Sequence, residues 1–256
     1  MCTLVLAYQV HPQYPLLVAA NREEFFDRPT GACQILDADV GAVGGRDLRA
    51  GGTWMGVTRD GFFAALTNQR PETAVDEKRA SRGALIMELL RQGRDSRSYV
   101  QSLHAQEYNP CNLVFGTAEG VHIAYIRDEN PEPELVDLTP GVHVLPNGRL
   151  NDPAFPAVAR ATELYQEFAE EDWSGLSLGC QRLLADRTTP TVVPDRNLPF
   201  DADVIREISR ICVRTPLFGT RSATIVALQK DEVAHYLYCE GPPDQHGFDE
   251  RLDLFQ

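Results

Sequence analysis

The residues best suited to covalent chemistry come first, at Met1-Cys2, ahead of the apolar run Thr3-Leu4-Val5-Leu6-Ala7-Tyr8. A cytosolic aminopeptidase removes an initiator Met when the next residue is small. Removal here leaves Cys2 carrying both a thiol and a free α-amine. A terminal amine has an unperturbed pKa of about 7.7–8.0, so near neutrality it can take the proton from sulfur. Cys needs less activation than Ser or Thr because it is intrinsically the stronger nucleophile. The alternative role for Cys2 is a small apolar residue opening a buried strand.

Two further groups stand out by type and place. Asn21-Arg22-Glu23-Glu24 follows the apolar run Leu16–Ala20. Charged side chains directly after a buried strand are costly unless paired or placed in a cleft, and a solvated strand end is the alternative. Pro146-Asn147-Gly148 follows the run Gly141–Leu145, and its amide either bonds a ligand or simply makes a turn. His122 and His143 alternate with apolar residues and read as half-exposed strand positions.

The elements that must position these residues are short. Thr3–Tyr8 and Leu16–Ala20 read as neighbouring buried strands separated by a Pro-bearing turn. Gly is dense from Gly41 to Gly61, without a phosphate-binding loop, so close backbone approach is the expected use rather than nucleotide binding. Arg59-Asp60-Gly61, Glu119-Gly120 and Lys230-Asp231 mark three hairpins. Helices are expected from Ala84 to Leu90 with a stop at Gly93, from Asp95 to about Gln106, from Ala154 to Ala169, and from Ser174 to Ala185. A Pro-rich connection, Thr188 to Pro199, leads to a short helix near Asp201–Ser209 and strands at Ile211–Thr215, Ser222–Leu228 and Val233–Tyr238. Helices bunched between antiparallel hairpins argue for an α+β fold.

Composition narrows the partners. A net charge of -13 over 256 residues excludes the basic stripe that nucleic acid or an anionic membrane would require. No apolar run approaches the roughly 20 residues of a membrane span, and no secretory signal is visible. The cysteines at positions 2, 33, 111, 180, 212 and 239 are dispersed, with no CxxC pair and no zinc spacing. The expectation is one domain over residues 1–256, reduced and cytoplasmic, with no metal and no cofactor. The oligomeric state is open.

Met1-Cys2, Asn21-Arg22-Glu23-Glu24-Phe25, Gly51-Gly52-Thr53-Trp54-Met55-Gly56, Ala64-Ala65-Leu66-Thr67-Asn68 and Gly219-Thr220-Arg221 together resemble the transport-and-Golgi-organisation family, also called the NRDE family. The order of the five elements is the family's, and Glu23 stands where the motif has Asp. That family looks like the N-terminal-nucleophile hydrolases, so the resemblance implies a four-layer αββα sandwich of two antiparallel sheets. By likeness to the bile-salt and penicillin-V amidases within that group, Cys2 is the implied nucleophile. Asn21, Arg22 and Glu24 span the registers open to a second-strand Arg and acid, Asn68 and Asn147 are the implied amides, and Arg221 the late Arg. The implied activity is hydrolysis of an amide or thioester bond of a small acyl substrate. The alternative it implies is a non-catalytic carrier of an apolar ligand, haem or acyl lipid. The physics of the first is direct: an Asn amide beside a developing oxyanion is worth about 3–4 kcal/mol when preorganised, and an Arg beside sulfur lowers its pKa.

Overall fold

The computed structural model describes residues 3–69, 75–192 and 201–256. Cys2 and residues 193–200 of the Pro-rich connection lie outside the described residues. β1 (Thr3–Tyr8) is wholly buried and pairs antiparallel with β2 (Leu16–Phe25), placing Thr3 opposite Asn21. β2 runs past Ala20 through the polar tetrad, so Asn21–Glu24 is strand rather than the segment after a strand. The cause is its partner: β11 (Phe218–Gln229) is hydrogen-bonded to it from Phe25 back to Leu16, which satisfies the backbone of the charged residues.

Among the described residues the strands form two antiparallel sheets. The first adds β10 (Gly141–Leu145) beyond β1, then β12 (Glu232–Glu240) and β13 (Asp249–Glu250) beyond β11. The second runs in chain order: β3 (Thr30–Asp37), β4 (Ala42–Asp47), β5 (Met55–Val57), β6 (Phe63–Asn68), β7 (Cys111–Thr117), β8 (Gly120–Ile126) and β9 (Glu134–Asp137). The three expected hairpins are β5–β6, β7–β8 and β11–β12. Gly61 at φ 76° and Asp231 at φ 56° supply left-handed turn positions in the first and last. Ile211–Thr215, expected as a strand, makes only an isolated bridge between Arg214 and Gly219. Its backbone finds other partners, since Ile211 O accepts from the Asn21 side chain and Cys212 N donates to Asp186 O.

Period-two alternation builds the layers. Leu4, Leu6, Val18 and Ala20 meet Val57, Phe63, Ala65 and Val114 between the sheets. The opposite side chains of the first sheet, Val5, Ala7, Leu17, Ala19 and Ile225, pack on α3 (Pro156–Gln166) and α4 (Trp173–Leu184). The outer face of the second sheet, with Ala64, Leu113 and Phe115, packs on α1 (Arg82–Gln92) and α2 (Ser96–Gln101). The result is an α+β sandwich layered α-β-β-α. A short helix, α5 (Ala202–Ile208), follows the Pro-rich connection. No helix among the described residues is long and apolar enough to cross a membrane.

The glycine-dense stretch serves close approach. A Cβ on Gly45 would overlap the Trp54 ring, and one on Gly52 would overlap the Gly83 backbone at the start of α1. The first lets Trp54 lie flat on β4; the second seats α1, whose N-cap Ser81 accepts from Ala84 N, against the loop before β5. Gly52→Ala should therefore cost about 1–3 kcal/mol by overpacking against backbone that cannot yield. Gly120→Ala, with open space around its Cβ, is the control. Urea denaturation should show a lower midpoint for the first variant alone, with an unchanged m value.

Candidate active site

Alternation along β2 divides the polar tetrad between two environments. Arg22 lies on the inner face with Ala20, and its guanidinium stacks 4.0 Å from the Trp54 ring centroid. Arg22 Nη1 donates to Thr30 Oγ1 at 3.0 Å, and Nη2 lies 3.7 Å from Glu24 Oε2. Glu24 is also 3.7 Å from Arg28, which is bonded to Asp47 at 2.6 Å. Burial alone would push the Asp47 carboxyl up, but its pairing with Arg28 holds it below the usual carboxylate range. Alternating charges thus link buried Arg22 through Glu24 and the part-exposed Arg28 to buried Asp47, which is how a cation is kept between two sheets at tolerable cost. Beside Arg22 a cavity of about 10 Å³, lined by Leu4, Trp54, Ala65, Ser222 and Thr224 among others, has room on the order of one water.

Asn21 and Glu23 face the other way. Asn21 Nδ2 donates to Leu184 O at 2.8 Å and to Ile211 O at 3.0 Å, capping the end of α4 and fastening the segment after α5. Asn21 is thereby a tie between the first sheet and its helices, separate from the Arg22 face. Glu23 is 5% exposed and accepts from Thr220 Oγ1 at 3.2 Å. Burial raises its carboxyl to about 7, against the opposing pull of the Thr220 hydrogen bond and of Arg22.

The two amides meet at the same end of the sandwich. Asn147 Nδ2 donates to Asn68 O, and Asn147 Oδ1 is buried with no hydrogen-bond partner among the described residues. Asn68, at the last position of β6, makes no side-chain hydrogen bond to another described residue. The loop carrying Asn147 leaves β10, whose Leu145 pairs with Leu4 of β1, so the amides lie near the start of β1. A row of inner-face residues from the second sheet holds that loop: Thr67 on β6, Asn112 on β7 and Tyr125 on β8, neighbours in register. Thr67 Oγ1 donates to Pro146 O at 2.8 Å, and Leu150 N donates to the Tyr125 hydroxyl at 3.1 Å.

Arg221 sits apart from these groups. The β11–β2 register passes from Thr220 opposite Glu23 to Ser222 opposite Arg22, leaving Arg221 in a bulge. Its Nη1 donates to Phe25 O at 3.1 Å and Phe26 O at 2.8 Å, so it fastens the exit of β2 at the same end of the molecule. Of the sequence candidates, then, Arg22 with Glu24 lies in the inter-sheet space, and Asn147 reaches the main chain of Asn68 at the same end, while strand alternation puts the Asn68 side chain on the face of Ala64 and Leu66. Asn21 serves the helix layer, Arg221 the strand exit, and Cys2 lies outside the described residues. Trp54, Thr67 and Asn112 were not singled out for chemistry from the sequence. Asn112 had one visible signal, a lone amide at an inner-face position of an otherwise apolar strand.

A match to the family described as Transport and Golgi organisation 2 spans residues 1–240. The chain belongs to that family. The human Transport and Golgi organization protein 2 homolog is 28% identical over 253 residues, covering 90% of each chain. The mouse homolog is 27% identical over 260 residues, covering 94% of this chain and 92% of its own length. Among solved structures, the Caenorhabditis elegans ortholog of N-acylethanolamine-hydrolyzing acid amidase superposes with a TM-score of 0.56 at 12% identity, over 88% of this chain and 92% of that one. A conjugated bile acid hydrolase from Clostridium perfringens gives 0.48 at 10% identity, over 98% and 96%. The chain thus shares its fold with the Caenorhabditis elegans amidase ortholog.

Glu23, where the family motif has Asp, generates a pH dependence. Its folded pKa of about 7 exceeds the ordinary glutamate value, so between the two the native state holds more protons than the unfolded one. The sign is therefore a loss of stability as pH rises through that window, on the order of 3 kcal/mol from this group when complete. Glu23→Gln should remove the effect: its Tm relative to wild type should be higher at pH 8 than at pH 5. An equal difference at both values would contradict the buried, raised carboxyl.

Proposed function

We propose that the protein is an N-terminal cysteine hydrolase acting on an amide or thioester bond of a small acyl substrate. The observation that carries the reading is the gathering of a buried cation, Arg22, and the Asn147 amide, held on the main chain of Asn68, near the start of β1, immediately after Cys2 in the chain. The amidase-like fold supports it.

In this reading the Cys2 α-amine, exposed by loss of Met1, takes the thiol proton. The thiolate attacks the acyl carbonyl, and the carbonyl oxygen gains charge as the carbon becomes tetrahedral. The amides of Asn68 and Asn147 donate to that oxygen, each contribution being worth about 3–4 kcal/mol in a water-poor site. Arg22 favours the thiolate and Glu24 holds Arg22 in place. The C–N or C–S bond then breaks, the ammonium returns its proton to the departing amine or thiol, and water hydrolyses the acyl thioester. The substrate carbonyl approaches from the rim, because the space beside Arg22 admits only about one water. The same small volume disfavours a haem or acyl-lipid carrier that would house its ligand between the sheets. We also infer a reducing, cytoplasmic setting, in keeping with the five free described cysteines.

Two measurements test the reading. Intact-protein mass spectrometry should find Met1 absent; soluble, folded protein that retains it would remove the base and sink the mechanism. Iodoacetamide at pH 7 should alkylate Cys2 faster than any other cysteine. Burial raises the thiols of Cys33 and Cys239 to about 11 and those of Cys111, Cys180 and Cys212 to about 12, so their thiolate fractions are negligible. Peptide mapping that placed Cys2 among the slowest would return it to a structural role.

A further inference from the structure

The two amides are main-chain neighbours of residues that all meet one buried side chain. Asn112 is fully buried on β7. Its Nδ2 donates to Gly148 O at 2.7 Å, Thr67 Oγ1 at 2.8 Å and Pro146 O at 3.2 Å, and its Oδ1 accepts from Gln69 Nε2. Thr67 and Gln69 bracket Asn68. Pro146 and Gly148 bracket Asn147. One amide therefore bonds the side chains on both sides of Asn68 and the carbonyls on both sides of Asn147, two residues 79 positions apart that come from different sheets.

We infer that Asn112 is a positioning residue: it sets the distance between Asn68 and Asn147 and thereby the geometry of the oxyanion site. The inference rests on the hydrolase reading above. The chemistry of Asn112 suits the task. Pro146 O and Gly148 O are carbonyls in a loop without a strand partner, and the neutral amide gives them a donor while its oxygen is locked by Gln69, so the side chain cannot invert without losing bonds on both sides. Thr67 closes the arrangement, accepting from Asn112 and donating to Pro146 O. Gly148 allows the loop its tight passage, since a Cβ there would overlap Phe155. Within the same clamp Asn147 Oδ1 is buried without a partner among the described residues, while its Nδ2 donates to Asn68 O.

The test separates positioning from thiol activation by two reactions of one nucleophile. In the first, 4-nitrophenyl butyrate acylates Cys2: sulfur bonds to the carbonyl carbon, the C–O bond breaks, and 4-nitrophenolate leaves with the electron pair. This passes through an oxyanion. In the second, iodoacetamide alkylates Cys2 by displacement of iodide, with no oxyanion. Asn112→Asp keeps the size and the acceptor for Gln69 but loses the donating NH2. It should slow acylation at saturating ester by about 100-fold, the cost of misplacing a preorganised donor, while alkylation at pH 7 stays within about twofold of wild type. Thr67→Val, which removes the hydroxyl alone, should show the same split to a smaller degree and stands in if Asn112→Asp fails to fold. Equal acylation in the variants and wild type, or parallel loss of both reactions in folded variants, overturns the positioning role. Wild type that releases 4-nitrophenolate no faster than Cys2→Ala and forms no butyryl adduct on Cys2 removes the hydrolase reading and this inference with it.

Discussion

A buried carbonyl without a donor costs on the order of 1–3 kcal/mol, and the loop after β10 brings Pro146 O and Gly148 O into the space between two sheets where water has little room. The donors come from the facing sheet, Thr67 and Asn112, and that exchange ties the two halves of the sandwich at the end where β1 begins. The apolar interior between the sheets fixes their spacing but is non-directional; it cannot decide how one polar rim is registered against the other. These hydrogen bonds do. Everything at this end, from the contact of Asn147 with Asn68 to the approach of β6 towards Arg22, depends on that registration being held to a few tenths of an ångström.

Electrostatics at the same end follow a local rule within an acidic molecule. Arg22 is buried, yet it lies on Trp54 and is linked through Glu24 to Arg28 and Asp47, with Arg28 the most exposed of these charges. A stacked, paired guanidinium is less heavily penalised than an ammonium in the same place, being more weakly hydrated and able to lie flat on an aromatic face. Glu23 gives the contrast. One residue away but on the opposite face, it is buried against Thr220, and its affinity for a proton rises.

Much of this was legible in the residues. Hairpins at Asp60-Gly61, Glu119-Gly120 and Lys230-Asp231 announce themselves because their turn chemistry is local, and α1 carries its own cap and stop in Ser81 and Gly93. The αββα layering followed from the family resemblance and from the grouping of elements. Other features depend on partners that no local pattern encodes. The strand character of Asn21–Glu24 comes from β11, some two hundred residues later, and β4 is built from a glycine-rich stretch with little β propensity. Ile211–Thr215 reads as a strand by composition but is claimed by the Asn21 side chain and Asp186. Asn112 is silent for a related reason: a single amide in an apolar run shows its meaning only once the loop from the other sheet is laid over it.

The alternation of β2 explains why a short polar motif can serve both the fold and the site. Even positions, Arg22 and Glu24, look into the space between the sheets; odd positions, Asn21 and Glu23, look towards the helices and the segment after α5. A one-residue slip of the strand would exchange the two sets and bury each against the wrong partners, so the long β11–β2 ladder that fixes the register is a condition for both. The bulge at Arg221 preserves this division where the ladder ends. It takes up one extra residue on β11, lets Thr220 stay opposite Glu23 and Ser222 opposite Arg22, and turns the Arg221 guanidinium outward to close the carbonyls at Phe25 and Phe26. The motif is therefore two interleaved pairs on one strand: Asn21 secures the helix layer and Glu23 meets Thr220 of β11, while the β11 ladder holds the register that lets Arg22 and Glu24 face the rim.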